Sequence, residues 1–196
     1  MLPSLKSVSF WLFIIALVAG LLSACKRRVY ESPSYQVLKS GHPFEIREYP
    51  GSTLISTTMQ HRGEDGSFMR LFRFISGGNE RGQKNAMTVP VLMTGSTTGT
   101  MSFVIPGTVA RKGVPTPSDP RVIVTTMPAG RYASYRFKGS INPKRSDEAA
   151  AKLLNWIHTR KLTAAGTPFF AYYNPPWTPG FLRRNEVLIQ VSPTKL

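Results

Sequence analysis

The sequence predicts an α+β domain, in which antiparallel strands form one curved sheet or distorted barrel with two helices packed on it. Two observations support this prediction. The order strand, turn, strand, helix, strand, strand occurs twice along the chain. The two occurrences are also in step, because the turns at Pro50 and Pro128 are 78 residues apart and the helix starts at Asp65 and Ser146 are 81 residues apart.

The first half begins with residues 44–49, where apolar and charged side chains alternate as in a strand with one buried face. Residues 54–59 are rich in β-branched side chains and follow the turn at Pro50, so they predict a second strand. Asp65 is expected to cap a helix. The apolar face of that helix has the spacing i, i+3, i+4 and i+7, at Phe68, Leu71, Phe72 and Ile75. Two further strands are predicted at 87–93 and 101–105.

The second half repeats this order. Strands are predicted at 122–126 and 132–137 on either side of a turn at Pro128. Ser146, followed by two acidic residues, predicts the start of a helix. The apolar stripe of this helix is expected at Ala150, Leu153, Leu154 and Ile157, and the last two strands at 169–173 and 186–191.

The N-terminus predicts export and lipidation. Lys6 precedes an apolar run at 8–22, which has the layout of a signal peptide. Leu22-Ser23-Ala24-Cys25 follows and resembles the lipobox of bacterial lipoproteins, in which the cysteine is acylated after cleavage. The alternative is an uncleaved anchor with an incidental cysteine. We therefore expect a signal peptide at 1–24, a lipidated tether at 25–34 and a single domain at 35–196.

The charge of +15, from 25 basic and 10 acidic residues, suggests nucleic acid, an anionic membrane surface or an acidic ligand as partner. No predicted helix carries a stripe of Lys and Arg with interleaved aromatics, and an exported protein seldom meets nucleic acid, so no nucleic-acid partner is expected. The lone cysteine excludes an intramolecular disulfide. We expect a lipid-anchored protein of the bacterial envelope that faces the periplasm. Lys26, in place of an aspartate, slightly favours the outer membrane.

The chain carries no common catalytic motif, so no enzymatic activity is expected. His42 and His61 are interpreted as surface residues, and His158 as lying at the border of an apolar helix face. A role for His158 as a metal or haem ligand remains open. Met residues on strands usually fill the core, and axial ligation of iron by one of them is the alternative. The methionines concerned are Met87, Met93 and Met101.

Three ordered motifs resemble those of the SOUL haem-binding family. They are the opening strand at 44–49, the segment from Phe74-Ile75-Ser76-Gly77-Gly78-Asn79 to Met87-Thr88-Val89-Pro90-Val91, and the closing stretch Tyr173–Val187 with its Pro175-Pro176 pair. The resemblance implies a distorted antiparallel β-barrel of two βαββ-type repeats with two packed helices. It also implies binding of a haem or related porphyrin in an apolar cleft, with basic residues near the propionates.

The resemblance places five residues at the ligand: Phe68, Phe72, Arg73, Trp177 and Thr178. The alternatives are that the two phenylalanines belong to the core and that Trp177 clamps its loop. Some members carry a candidate axial histidine where this chain has Glu48, and a basic residue where it has Asp65. The expected function is a membrane-anchored tetrapyrrole-binding protein. The alternative is a non-enzymatic structural or interaction lipoprotein of the envelope with no tetrapyrrole ligand.

Overall fold

The computed structural model describes residues 30–193; the predicted signal peptide and the lipidation site Cys25 lie outside the described residues. The described residues form nine strands and three α-helices. In chain order these are β1 (Gln36–Gly41), β2 (Phe44–Tyr49), β3 (Ser52–Met59), α1 (Ser67–Ile75), β4 (Val91–Thr94), β5 (Gly99–Val104), α2 (Gly107–Lys112), β6 (Val122–Met127), β7 (Gly130–Phe137), α3 (Pro143–Thr159), β8 (Leu162–Tyr172) and β9 (Asn185–Pro193).

The α+β class is confirmed, with all nine strands in one antiparallel sheet of order β1-β2-β7-β9-β8-β4-β5-β3-β6. The sheet is open, with β1 and β6 at its edges, so "barrel" describes it only loosely. Two elements were not predicted. The six residues of β1 are all exposed and carry no apolar–polar alternation, and α2 is a short segment between Pro106 and Gly113.

The two predicted repeats are present, and they exchange their first strands. β2 opens the first half but pairs with β7 of the second, whereas β6 opens the second half and pairs with β3 of the first. The remaining strands have matching orders, β3-β5-β4 and β7-β9-β8, and β4 pairs with β8 at the centre. Each half therefore completes the sheet of the other.

Both long helices pack on the same face of this sheet. Met93 of β4 lies opposite Met101 and Phe170, and directly opposed residues of antiparallel strands point to one face. Met101 belongs to the hydrophobic cluster under α1, Phe170 belongs to the cluster under α3, and Met93 contacts both clusters. α1 contacts β3, β5 and β6, while α3 contacts β7, β8 and β9, so β4 lies between the helices.

The helix starts differ from those predicted. α3 begins at Pro143, and the side chain of Asn142 caps it by accepting a hydrogen bond from the Arg145 amide at 2.8 Å. The predicted start at Ser146 was therefore wrong, because proline fits the first position of a helix and Asn caps it well. α1 begins at Ser67, and Asp65 supports this start by accepting the Ser67 amide at 3.1 Å.

The opposite face of the sheet encloses a third hydrophobic cluster. Strands from both ends of the sheet order contribute to it, so the sheet must curve around this cluster. Its members are Tyr49, Leu54, Leu92, Val104, Met127, Tyr132, Ala171 and Leu188. All described helices and strands, and the three clusters that they bury, lie within residues 30–193, so a chain that starts after the predicted cleavage site keeps the whole domain.

A buried ion pair crosses this curved face. Arg47 of β2 donates to both carboxylate oxygens of Glu186 of β9, at 2.6 and 3.3 Å, and both side chains are almost completely buried. Arg47 also binds Glu45 at 2.7 Å, and Arg184 donates to Glu186 at 2.9 Å. The hydroxyl of Tyr173 donates to Glu186 at 3.2 Å. Glu45 and Glu186, which are far apart in the sequence, therefore share Arg47.

The carboxyl of Glu186 stays ionised in this network. Burial alone would raise its pKa, but the hydrogen bonds and charges of Arg47 and Arg184 outweigh burial and lower it. Burial raises the pKa of the neighbouring Tyr49 to about 12, so that residue remains a neutral phenol. A buried charge that keeps its partner is tolerated, whereas the same charge without a partner is strongly destabilising.

Replacing Glu186 by Gln should therefore destabilise the domain strongly. The substitution leaves Arg47 buried with reduced charge compensation, and we expect a loss of about 3–5 kcal/mol in the free energy of unfolding. Urea denaturation measures it. Glu48→Gln is the matched control, because Glu48 forms a solvent-exposed ion pair with Arg131 at 3.2 Å and its loss should cost about 0–1 kcal/mol. Equal effects of the two variants would contradict a structural role of the buried pair.

Asp65 and Arg70 form an ion pair at the start of α1, at 2.9 Å. This pair should make the free energy of unfolding depend on pH in the acid range. Burial would raise the pKa of Asp65, but hydrogen bonds from Arg70 and Ser67 lower it to about 2. A lowered pKa stabilises the fold above the ordinary value of 3.8, and this stabilisation is lost as the pH falls from about 4 to 2. Wild type should therefore exceed Asp65→Asn in unfolding free energy at pH 6, and the difference should shrink towards pH 2. A difference that does not change with pH would refute this assignment.

Candidate functional site

α1 presents two large aromatic side chains to solvent. Its buried side is formed by Ser67, Arg70, Leu71, Phe74 and Ile75. Phe68 and Phe72, which the i, i+3, i+4, i+7 spacing placed on the buried face, are 39% and 41% exposed. The interpretation of both as core residues is therefore wrong, because the sheet packs against the neighbouring side of the helix.

The two exposed phenylalanines form one aromatic surface. Their rings are stacked with centroids 6.2 Å apart and an interplanar angle of 13°. Phe68 also meets the buried Phe103 of β5 edge-on at 5.2 Å. Met69, which is exposed as well, follows Phe68 on the helix. A contiguous, exposed apolar surface of this kind commonly marks a binding site.

This surface faces the space between the two helices. Arg70, on the other flank of α1, binds Thr57 and the Thr58 carbonyl of β3, so the flank with Phe68 and Phe72 is turned towards β4. On α3, Trp156 stacks on Phe44 of β2. Residues of a helix are about 100° apart, which puts the exposed Leu154 on the flank opposite Trp156, again facing β4.

We call the space above β4, between these two flanks, the interhelical groove. The contacts above and helical periodicity put Phe68 and Phe72 on its α1 side and Leu154 on its α3 side, and Met93, which packs against the clusters under both helices, lies beneath it. His158 is four residues after Leu154 on the same flank of α3, and it is exposed. Its predicted place at the border of the apolar face agrees with this position.

Arg62 connects the turn before α1 with α3 and β8. It belongs to a short 3-10 turn, His61–Gly63, that precedes α1. Its guanidinium donates to Ser146 of α3 at 3.5 Å, to the Tyr172 hydroxyl at 3.4 Å and to the Ser96 carbonyl. Burial raises the pKa of Tyr172, so this partner is a neutral phenol. All three acceptors are uncharged, and within residues 30–193 no carboxylate pairs with Arg62.

The backbone at Arg62 is also unusual. It has φ 59° and ψ 28°, in the left-handed region that residues other than Gly, Asn and Asp rarely adopt. Such conformations persist where the surrounding structure holds them, and they are frequent at functional sites. The sequence around Arg62 does not predict that this residue lies beside the groove, because the groove forms only when α1, β4 and α3 have packed together.

Arg73 lies away from the two phenylalanines. It lines a cleft of about 530 Å³ on the other side of α1, together with Arg70, Arg121 and the segment from Pro117 to Pro120. Two of these arginines are paired, Arg70 with Asp65 at 2.9 Å and Arg121 with Asp119 at 2.7 Å. Of the basic residues near α1, Arg62 rather than Arg73 is therefore next to the interhelical groove.

Trp177 and Thr178 lie in the loop between β8 and β9. The Trp177 side chain is exposed and makes no ring contact with Phe68 or Phe72 in the described part of the chain. Thr178 has a structural contact, since its amide donates to the Pro175 carbonyl at 3.0 Å and its carbonyl accepts from Arg183 at 2.7 Å. The five residues implied by the resemblance thus fall in three places: the two phenylalanines together, Arg73 on the other flank, and the loop pair.

The remaining candidate ligands are dispersed. Met101 is buried and accepts a hydrogen bond from the Ser67 hydroxyl at its sulfur, at 3.7 Å, and Met87 packs against the cluster under α1. His42 and His61 are exposed, as expected. Residues 30–193 contain no group of three or more His, Cys, Asp or Glu arranged to hold a metal ion. Met93, beneath the groove, is the candidate methionine that lies between both helices.

The motifs that suggested a family have structural roles. Arg47 of the opening strand binds Glu186 of the closing stretch, which ties the first and last motifs together. The buried amide of Asn79 donates to the carbonyls of Phe74 and Gln83 and accepts from the amides of Arg81 and Gln83. This side chain fixes the course of the chain as it leaves α1.

No helix in the described part of the chain is long and apolar enough to span a bilayer.

Comparison with solved structures supports the fold. The chain is similar to the EcmrR C-terminal domain, with a TM-score of 0.57 and 14% identity over 82% of this chain and 99% of that chain. It is also similar to a protein described as a hydrolase from Listeria innocua, with a TM-score of 0.55 and 13% identity over 79% and 94% of the two chains. At these identities the similarity shows the fold alone. No curated protein matches the chain.

The family is shown by a separate match. The model of the family described as SOUL heme-binding protein matches residues 30–190, which is nearly the whole of the described chain. The match includes the three motifs, α1 with its exposed phenylalanines, and both halves of the sheet. This chain therefore belongs to the SOUL heme-binding protein family.

Proposed function

We propose that this protein binds a haem or related tetrapyrrole, without a covalent bond, in the interhelical groove. Membership of the SOUL heme-binding family supports a tetrapyrrole as the ligand. The stacked, exposed pair of Phe68 and Phe72 is the observation that supports this position on the chain.

The residues of the groove fit the chemistry of a tetrapyrrole. The macrocycle is flat and apolar, and Phe68, Phe72 and Leu154 offer it aromatic and aliphatic walls. Its propionates are carboxylates, which pair best with an arginine. Arg62 has a charge that no carboxylate compensates among the described residues, so it is the residue that would receive a propionate.

A bound haem would supply an iron whose axial positions accept imidazole or thioether ligands. His158, on the groove flank of α3, and Met93, beneath the groove, would be the side chains that hold this iron. The proposed role is binding rather than catalysis. Replacement of His158 or Met93 by Ala, with the haemin spectrum as readout, identifies an axial ligand if one is used.

The groove should control the affinity for haemin. Haemin titration of residues 26–196 should give a Soret shift and saturable binding at micromolar concentration. Phe68→Ala combined with Phe72→Ala should weaken binding about tenfold or more, since each removes a side chain whose burial is worth about 1.5–3 kcal/mol. Ile123→Ala is the control, because Ile123 is also exposed but lies on the edge strand β6. No Soret shift in wild type would refute tetrapyrrole binding.

Two further variants test whether Arg62 or Arg73 binds the propionates. Arg62→Gln should weaken haemin binding and Arg73→Gln should have a smaller effect, because Arg73 lies on the other flank of α1. The reverse result would move the propionates to the cleft beside Arg70. Trp177→Ala tests the loop that the family resemblance places near the ligand, with unchanged affinity excluding Trp177 from the site.

We further propose that Cys25 carries the lipid anchor and that the domain faces the periplasm, with the outer membrane slightly favoured. The Leu22-Ser23-Ala24-Cys25 motif supports this location. In a bacterial host supplied with labelled palmitate, the wild-type chain should be labelled and Cys25→Ser should not. Label retained in Cys25→Ser would refute the lipoprotein assignment.

The second candidate is an envelope lipoprotein that binds a partner or an anionic surface and no tetrapyrrole. The charge of +15 favours it. Salt-sensitive binding to anionic vesicles in the absence of any haemin affinity would select this function over the first.

A further inference from the structure

The loop between β8 and β9 exposes three large apolar side chains within six residues. Trp177 is 82% exposed, Phe181 is 70% exposed and Leu182 is 62% exposed. All three are considerably more exposed than the phenylalanines of α1. Single exposed apolar residues are ordinary, but three together on one loop mark an interaction surface.

The loop is held in place by its own hydrogen bonds. Arg183 donates to the carbonyls of Pro176 and Thr178, and the Arg184 amide donates to the Asn174 side chain at 2.6 Å. The Gly139 amide donates to the Gly180 carbonyl at 2.9 Å, which joins the loop to the segment before α3. The apolar side chains are therefore presented on a fixed backbone, which lowers the entropy lost when they bind.

The surroundings of the loop are basic. Residues 149–185 contain no Asp or Glu. Lys138 and Lys144 flank the segment that contacts Gly180, and both are exposed. Neither lysine forms an ion pair within residues 30–193. Glu148 of α3 lines a cleft together with Lys138 but forms no ion pair with it. Aromatic and aliphatic side chains bordered by lysines without an ion-pair partner suit the headgroup region of an anionic bilayer, where Trp is particularly favoured.

The start of the described chain lies at the same end of the sheet as this loop. Glu31 bridges to Thr88, and its carbonyl accepts from the Val89 amide at 2.9 Å, directly before β4 begins. β4 pairs with β8 so that Val91 lies opposite Tyr172, and the loop follows Tyr172. Cys25 is five residues before Tyr30, so a chain anchored there would hold this end of the domain close to the lipid.

We propose that the loop 174–184 is a membrane-contact element that inserts Trp177, Phe181 and Leu182 into the headgroup region of an anionic bilayer. Lys138 and Lys144 contact the lipid phosphates beside it. This proposal rests on the envelope location proposed above, but it does not depend on tetrapyrrole binding.

The test is the binding of residues 26–196, without the lipid, to vesicles of phosphatidylglycerol and phosphatidylcholine. Wild type should bind these vesicles, with a blue shift of tryptophan emission and protection from acrylamide, and should bind pure phosphatidylcholine more weakly. Phe181→Ser combined with Leu182→Ser should weaken binding about tenfold or more. Lys138→Gln combined with Lys144→Gln should weaken binding to the anionic vesicles and reduce its dependence on salt.

Ile123→Ser is the matched control, since Ile123 is an exposed aliphatic residue on an edge strand four places from β8 in the sheet. It should bind vesicles as wild type does. The proposal is overturned if wild type shows no emission shift with anionic vesicles, or if the Phe181 and Leu182 variant binds as tightly as wild type. Haemin affinity, measured separately, should be unchanged in that variant, so failure of the membrane contact and failure of tetrapyrrole binding are distinguishable.

Discussion

The buried ion pair of Arg47 and Glu186 holds the sheet at the place where its two halves interlock. Arg47 is on β2, which has crossed to the second half, and Glu186 is on β9. Two ions this deeply buried are stable only with their partners in place, so the pair specifies how β2, β7 and β9 come together. The pair lies on the face of the sheet that encloses the third hydrophobic cluster, whereas both long helices pack on the other face.

Pairing with acids separates the arginines of this domain into two kinds. Arg47, Arg70, Arg121, Arg131 and Arg184 each form an ion pair with a carboxylate, and the pairs of Arg121 and Arg131 are exposed to solvent. Arg62 binds uncharged oxygens alone, and the lysines beside the β8–β9 loop have no carboxylate partner among the described residues. The excess of positive charge therefore has two separate uses in our proposals. One arginine serves a ligand carboxylate, and the exposed lysines serve a lipid surface.

Much of the fold could be predicted from the sequence, because strands with one buried face alternate in composition. Strand β1 could not be predicted, because all six of its residues are exposed and its sequence therefore shows no alternation of apolar and polar side chains. The start of α3 was predicted wrongly because Ser146, followed by two acidic residues, has the sequence features of an N-cap. The helix in fact has Asn142 as its N-cap and Pro143 as its first residue. Phe68 and Phe72 of α1 are exposed and not part of the core, because helical spacing alone does not reveal which side of a helix the sheet covers. Leu154 was predicted within the apolar stripe of α3 but is exposed, and the contacts of Arg62 with α3 and β8 depend on the tertiary structure, because no local sequence pattern predicts them.

The exchange of first strands also determines the order in which the domain can be built. Within the first half β2 pairs with β1 and β3 pairs with β5, whereas the pairing of β2 with β7 and that of β3 with β6 require strands from the second half. Pairings so distant in sequence form slowly. In the folded domain, the strand pairings between the halves hold them together without the covalent connection between α2 and β6. A chain cut between α2 and β6 would stay together, because each fragment holds a strand of the other.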